Sequence, residues 1–239
     1  MKNRLVIDIH THTIFSGHAY GTIRENALAA KEKGLIGLGV SDHAPGIPGV
    51  CDPIYFSNLR AIPRELYGVN IYYGVENNAL NDGTMTLPER MLNRLDYCIV
   101  GIHGTCYSDE GIEKNTDNLI SCMAHPKTFF VSHPDDSTFP LDYERLVPAA
   151  KEYGVALELN NSTIMADYRK NWRENVATYL KLCMKHRANI FVGSDAHDPS
   201  RIGYFTEADA LLEEMGFDEE LIVNNSLEKF ERFIGFDKR

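Results

Sequence analysis

The sequence predicts an α/β fold made of parallel β/α units, and three features carry that prediction. Short apolar runs of strand length recur along the 239-residue chain. Amphipathic helical stretches separate them. Polar residues, many of them His, Asp or Glu, stand at the C-terminal end of each run. Such alternation argues for parallel strands covered by helices. Closed, the pattern makes a barrel of about seven strands; open, it makes a doubly wound sheet.

The elements follow in order. Strand one covers about 4–9 and runs into His10-Thr11-His12. A loop with Ser16, Gly17 and Gly21 leads to a helix near 22–33. Thr22 is its N-cap, Glu25 completes a capping box, and Gly34 stops it. Strand two, about 36–40, ends in Ser41-Asp42-His43. A Pro/Gly-rich loop over 44–53 precedes a helical stretch near 57–67, which Pro63 kinks or splits. Strand three, 70–75, ends at Glu76; a polar loop over 77–88 and a short helix over 89–95 follow. Strand four, 97–102, ends at His103, with a helix near 116–123 behind it. Strand five, 128–132, ends at His133-Pro134, and a helix over 142–153 closes at Gly154. Strand six, 155–159, ends in Asn160-Asn161, and a long helix lies near 172–187. Strand seven, 189–193, ends in Ser194-Asp195-Ala196-His197. Helices near 207–215, 218–223 and 227–234 form a tail. With no repeat, linker or low-complexity tract, 1–239 reads as a single domain whose helical tail is about 205–239.

Composition narrows the function classes. At 44% apolar and 24% charged residues, the chain supports a sizeable core. A net charge of −10 argues against an extended nucleic-acid surface. An anionic small molecule would then need a local positive centre, which bound metal ions supply. Five cysteines without a CxxC pair read as reduced thiols of a cytoplasmic protein. No signal-type apolar segment and no run long enough to span a membrane is expected.

His10 and His12, two apart on a strand, point to one face. His43, Glu76, His103, His133, Asp195 and His197 end later strands, and His18 lies in the loop after strand one. Seven of nine histidines therefore fall near strand ends; His125 and His186 fall near helix ends. In a parallel β/α barrel those ends meet at one mouth. Imidazoles with carboxylates suit zinc, and also manganese or iron. Nine ligands are too many for one ion. Three ions with a bridging carboxylate is the better count, and without sulfur ligands the site reads as catalytic.

His10-x-His12, His18, Ser41-Asp42-His43, Glu76, Gly101-Ile102-His103, Ser132-His133-Pro134 and Gly193-Ser194-Asp195-Ala196-His197 resemble the motifs of the PHP (polymerase and histidinol phosphatase) superfamily. The similarity is greatest to its small YcdX-like phosphatases and spans 4–203. The resemblance implies a distorted seven-stranded (β/α)7 barrel, TIM-barrel-like, with a trinuclear site. It implies hydrolysis of a small phosphorylated substrate by a metal-bound hydroxide. One metal would sit on His10, His12, Glu76 and Asp195, a second on His18, His43 and His197, and a third on Glu76, His103 and His133. Arg169, Asp195 and His197 are the expected catalytic residues, with Arg169 and Lys170 expected to bind phosphate.

Asp8 and Asp42 are candidates for orienting the ligand histidines that follow them. Glu158 and Asn160 share a strand face and can both look into the site. Two other readings stand beside the phosphatase. An amidohydrolase also begins with His-x-His, but it usually wants eight strands and often a strand-four lysine, where this chain has His103. A non-catalytic module would use the metals only to hold an interaction surface. Substrate specificity is expected from the loops 44–53, 77–88 and 162–171.

Overall fold

The computed structural model describes residues 5–166 and 169–236. Arg4, expected to begin the first strand, lies outside the described residues. The elements in chain order are β1 (Ile7–Asp8), α1 (Ile23–Glu32), β2 (Gly37–Val40), α2 (Ile54–Asn58), β3 (Glu65–Leu66), β4 (Val69–Tyr73), β5 (Glu76–Asn78), α3 (Glu89–Leu92), β6 (Cys98–Gly101), α4 (Ile112–Met123), β7 (Thr128–Val131), α5 (Tyr143–Tyr153), β8 (Ala156–Asn160), α6 (Asn161–Ala166), α7 (Trp172–His186), β9 (Ile190–Gly193), α8 (Thr206–Met215) and α9 (Leu227–Phe233). The capping box of α1 forms as expected. Thr22 N–H donates to Glu25 Oε2 at 2.8 Å, and Glu25 N–H to Thr22 Oγ1 at 3.3 Å.

The strands form two sheets, ordered β1-β2-β4-β3 and β5-β6-β7-β8-β9. Every pairing is parallel except β3 with β4. The single closed seven-stranded barrel is therefore not what is found. The strand expected over 70–75 is where the sheets part. After Tyr73 the chain leaves the first sheet through Gly74 and Val75 and pairs again from Glu76 in the second. One parallel bridge, His43 with Glu76, spans this seam; another, Thr11 with Ala196, spans the opposite one.

The opposite seam has a physical cause. Only two residues of β1 pair, too few to hold a ladder with β9. Asn224, fully buried, fills the gap. Its Nδ2 donates to Ile7 O at 3.0 Å and Val192 O at 2.8 Å, and its Oδ1 accepts from Val192 N–H at 3.0 Å. A side-chain amide thus satisfies backbone groups that a ladder would otherwise pair.

Between the sheets lies an apolar layer of Ile7, Ile9, Tyr72, Tyr97, Ile99, Phe130 and Phe191. Phe230 and Ile234 of the tail pack into the same layer. Tyr97 lies where Gly39 and Gly74 leave room: a Cβ on Gly74 would stand 2.3 Å from its ring. A second apolar layer joins the outer strand faces to the helices, with Ala27, Leu38, Val100, Leu146, Val176 and Leu180 buried there.

Three local expectations change. The helical stretch over 57–67 is α2 plus a 3-10 turn, Leu59–Ala61, followed by β3. Pro63 drives the residue before it out of the helical region, and Ile62 is extended at φ −83°, ψ 136°. The polar loop after β8 is instead α6, where Asn160 Oδ1 accepts from Thr163 N–H at 2.8 Å. The helix expected over 218–223 is two 3-10 turns, Glu219–Leu221 and Val223–Asn225. No helix among the described residues is long and apolar enough to cross a membrane.

Candidate metal centre

The strand ends bring together the nine side chains picked out by sequence. Glu76, at the start of β5 and 1% exposed, lies at the centre. Its Oε2 stands 2.9 Å from His43 Nδ1, 3.3 Å from His10 Nε2 and 3.5 Å from His12 Nε2. Its Oε1 stands 3.0 Å from His133 Nε2 and 3.2 Å from His103 Nε2. The two oxygens of one carboxylate thus face two separate groups of imidazoles. Asp195 Oδ1 forms a further focus, 3.2 Å from His12 Nε2 and 3.5 Å from both His10 Nε2 and His197 Nδ1. His18 Nε2 and His197 Nε2 are 3.1 Å apart at the rim. Three overlapping sets have donor atoms mutually within 4.8 Å: His12, His43 and His197; His10, His12 and Glu76; and His43, Glu76 and His103.

Other side chains aim these rings. Glu158 Oε1 lies 2.7 Å from His10 Nδ1, which turns Nε2 toward Glu76 and Asp195. Glu158 Oε2 accepts from the His133 backbone N–H at 2.7 Å and from Asn160 Nδ2 at 3.1 Å. Asn160 Nδ2 also reaches Asp195 Oδ2 at 3.1 Å. Gly193 is required beside this carboxylate, since a Cβ there would stand 2.0 Å from Oε1. Ser16 Oγ donates to Asp42 at 2.7 Å, so it accepts from His12 Nδ1 at 3.0 Å. That bond puts the proton on Nδ1 and leaves Nε2 bare.

Asp42 therefore serves His12 through Ser16 and makes no direct bond to the His43 ring. Asp8 does not orient His10 either. It accepts from Ser194 N–H at 3.3 Å and Gly203 N–H at 2.8 Å, tying β1 to the segment after β9. Two candidate ligands hold strained backbone: His133 at φ 29° and Asp195 at φ 51°. Positive φ in a non-glycine residue is uncommon, and it persists where surrounding bonds fix it at functional sites.

The electrostatics call for cations. Burial depresses His12 well below its usual value, with His43 and His197 adding to the effect. Burial likewise takes His103 down to about 4, against the pull of Glu76. Burial opposes the charged form of His10, but the Glu158, Glu76 and Asp195 carboxylates outweigh it and hold that imidazole well above its usual range. Burial is also outweighed at Glu76, which His10, His43 and His103 keep well below the carboxylate range. Neutral imidazole lone pairs and carboxylate oxygens repel each other at 3 Å. The buried atoms His10 Nε2, His12 Nε2, His43 Nδ1 and His103 Nε2 also lack a hydrogen-bond partner. Converging nitrogen and oxygen donors, several of them without a hydrogen-bond partner, fit divalent metal ions.

Arg169 reaches this centre from the segment after α6. Its guanidinium donates to Thr163 Oγ1 and lies 3.5 Å from Asp135 Oδ1 and 3.7 Å from Asp195 Oδ2. Lys170, in contrast, is exposed, and its backbone O accepts from Ser137 N–H at 2.9 Å. The Asp135 and Thr163 contacts to Arg169, and the Ser16 contact to His12, had no sequence signal. Each joins residues whose spacing follows no motif.

A parallel α/β scaffold thus gathers imidazoles and carboxylates at its strand ends, a donor set able to hold divalent metal ions. No family model matches the chain. Curated relatives do. A probable phosphatase of Caldanaerobacter subterraneus is 41% identical over 237 residues, covering 98% of this chain and 92% of the relative. Another, from Caldicellulosiruptor saccharolyticus, is 41% identical over 231 residues, covering 96% of each. The chain belongs to this family of probable phosphatases. The fold agrees. The structure of a putative histidinol phosphatase from Listeria monocytogenes superposes with a TM-score of 0.64 at 16% identity, over 84% of this chain and 98% of that one. The histidinol phosphate phosphatase of Lactococcus lactis, solved with zinc, L-histidinol and phosphate, gives 0.56 at 17% identity, over 89% and 94%.

Proposed function

We propose that the chain hydrolyses a phosphomonoester of a small molecule at three divalent ions, zinc foremost, in the cytoplasm. The carrying observation is Glu76, whose two oxygens face different imidazole groups and so suit a bridging carboxylate. In this reading the first ion takes His10, His12, Glu76 and Asp195. The second takes His18, His43 and His197, and the third takes Glu76, His103 and His133. Such ions supply positive charge for phosphoryl oxygens and acidify a water. Zinc suits the nitrogen and oxygen donors and is the metal of the Lactococcus protein with this fold.

The protein's own groups do the rest. Glu158 and Ser16 fix the tautomers of His10 and His12, leaving each Nε2 free to bind. Arg169 offers a guanidinium fork to the phosphate and is held in place by Thr163 and Asp135. Asp195 and His197 complete the catalytic set. Histidinol phosphate is a substrate candidate by analogy of fold only.

Hydrolysis of p-nitrophenyl phosphate tests the reading. We expect turnover that a chelator abolishes and zinc or manganese restores. Turnover equal in metal-depleted and metal-loaded protein would overturn it.

A further inference from the structure

A cavity of about 380 Å³ opens beside the candidate ligands. Its lining includes His18, His43, His103, His133 and Arg169. The lining also carries apolar side chains: Ile47, Ile102, Leu119, Phe139 and Leu141. The volume is at the small end for ligand sites and suits a compact molecule. Phe139 is braced from behind. Its ring meets Tyr107 edge-on at 5.8 Å, and Tyr107 is fixed by Asn115 at 3.1 Å and Asn118 at 2.9 Å.

Charge is arranged with equal asymmetry. Arg169 is the one Lys or Arg among the described lining residues, and Asp135 and Asp195 already face it. Asp136 adds a carboxylate to the lining. A second anionic group on the substrate finds no cation of its own there. A different cavity, of about 330 Å³, lies by Asp195 and His197, lined by Asn161, Ser162, Asp198 and Arg201 together with Met165 and Tyr204. It meets only two of the candidate ligands, whereas the first cavity meets four. The dianionic phosphoryl group goes where positive charge is greatest, so the ester's organic part falls against the apolar lining residues.

Resting on the phosphatase reading, we propose that the first cavity binds the leaving group. Its preferred substrates are monophosphates of alcohols bearing an apolar, ring-sized group, rather than polyol phosphates or bisphosphates. Specificity then resides mainly in the segments after β6 and β7, with Ile47 from the 44–53 loop. Among the described residues none of 77–88 contributes to the lining, although sequence pointed to that loop.

Benzyl phosphate and glycerol 3-phosphate test this, since both are esters of primary alcohols and differ chiefly in polarity. With zinc-loaded full-length protein, kcat/KM is expected to favour the benzyl ester by about tenfold or more. Phe139→Ala should cut that ratio by about fivefold. Ile47→Ser, on a half-buried loop, should lower it in the same direction without burdening the fold. A wild-type ratio of one or less, or a ratio unmoved by both variants, overturns the inference; preference for glycerol 3-phosphate points to the cavity by Asp195 and His197. If p-nitrophenyl phosphate is hydrolysed and neither alkyl ester is, the inference fails alone. If none of the three is hydrolysed, the phosphatase reading fails with it.

Discussion

The mouth of the strand bundle and the aromatic layer between its sheets are opposite in kind. At the C-terminal ends, imidazole nitrogens and carboxylate oxygens are packed at about 3 Å, and several nitrogens lack partners. In the aromatic layer, Tyr72, Tyr97, Phe130, Phe191 and Phe230 pack together and their polar tips are satisfied. Tyr72 OH donates to Glu231 at 2.7 Å, Tyr97 OH donates to Ile9 O at 2.7 Å, and Asn224 bonds through both amide atoms. A folded chain tolerates unsatisfied buried groups only where something else gains from them. The mouth therefore carries the chemistry and the aromatic layer the stability.

Substitutions that separate the two roles probe this division. The largest effect belongs to Glu76→Ala, which removes the carboxylate shared by both imidazole groups. Turnover of p-nitrophenyl phosphate should fall by at least about 10³-fold, and elemental analysis should show metal lost with it. Retained turnover in the metal-depleted variant would break the assignment of the chemistry to the mouth. In the aromatic layer, Phe230→Ala should destabilise metal-free protein by about 3–5 kcal/mol in denaturant unfolding. Its metal content per folded chain should stay that of the wild type; a fall would mean that the two regions are not independent.

Glu158→Gln sharpens the contrast within the mouth. This residue binds no ion in our reading, yet it aims His10, holds the strained His133 backbone and reaches Asp195 through Asn160. Competition with a chelator should show metal affinity down by about 10–100-fold, a smaller loss than at Glu76.

A pH effect follows from His10. Its pKa is raised in the metal-free protein, so the ring carries a proton that metal must displace, whereas His12 and His103 are already neutral. Metal affinity should therefore weaken as pH falls, and zinc uptake near neutral pH should release about one proton from this site. Calorimetry in two buffers of different ionisation enthalpy measures the release. In Glu158→Gln it should shrink, because the charge that holds the proton is gone.

The sequence shows these two regions unequally. All nine candidate side chains at the mouth were legible, because β/α periodicity brings strand-end residues together whatever lies between them. The parting of the sheets was not. It depends on the brevity of β1 and on Asn224, more than 200 residues away, entering the gap. Residues that aim the ligands were half legible. Glu158 could be placed on the correct face, but not on His10, since that 2.7 Å bond joins positions 148 apart. Asp8 sits two residues from His10 on the same strand face, yet bonds elsewhere. Sequence proximity was the wrong guide there, because β9 approaches Asp8 from the side. The aromatic layer was legible only as hydrophobic runs, and the docking of α9 into it had no motif.

One titration tests the central claim most directly. Zinc is returned stepwise to metal-depleted protein, while bound metal and p-nitrophenyl phosphate turnover are followed on the same sample. Saturation is expected at about three ions per chain, with turnover appearing only as the later ions bind. Saturation at one ion or none, or full turnover before any zinc is added, would contradict that claim.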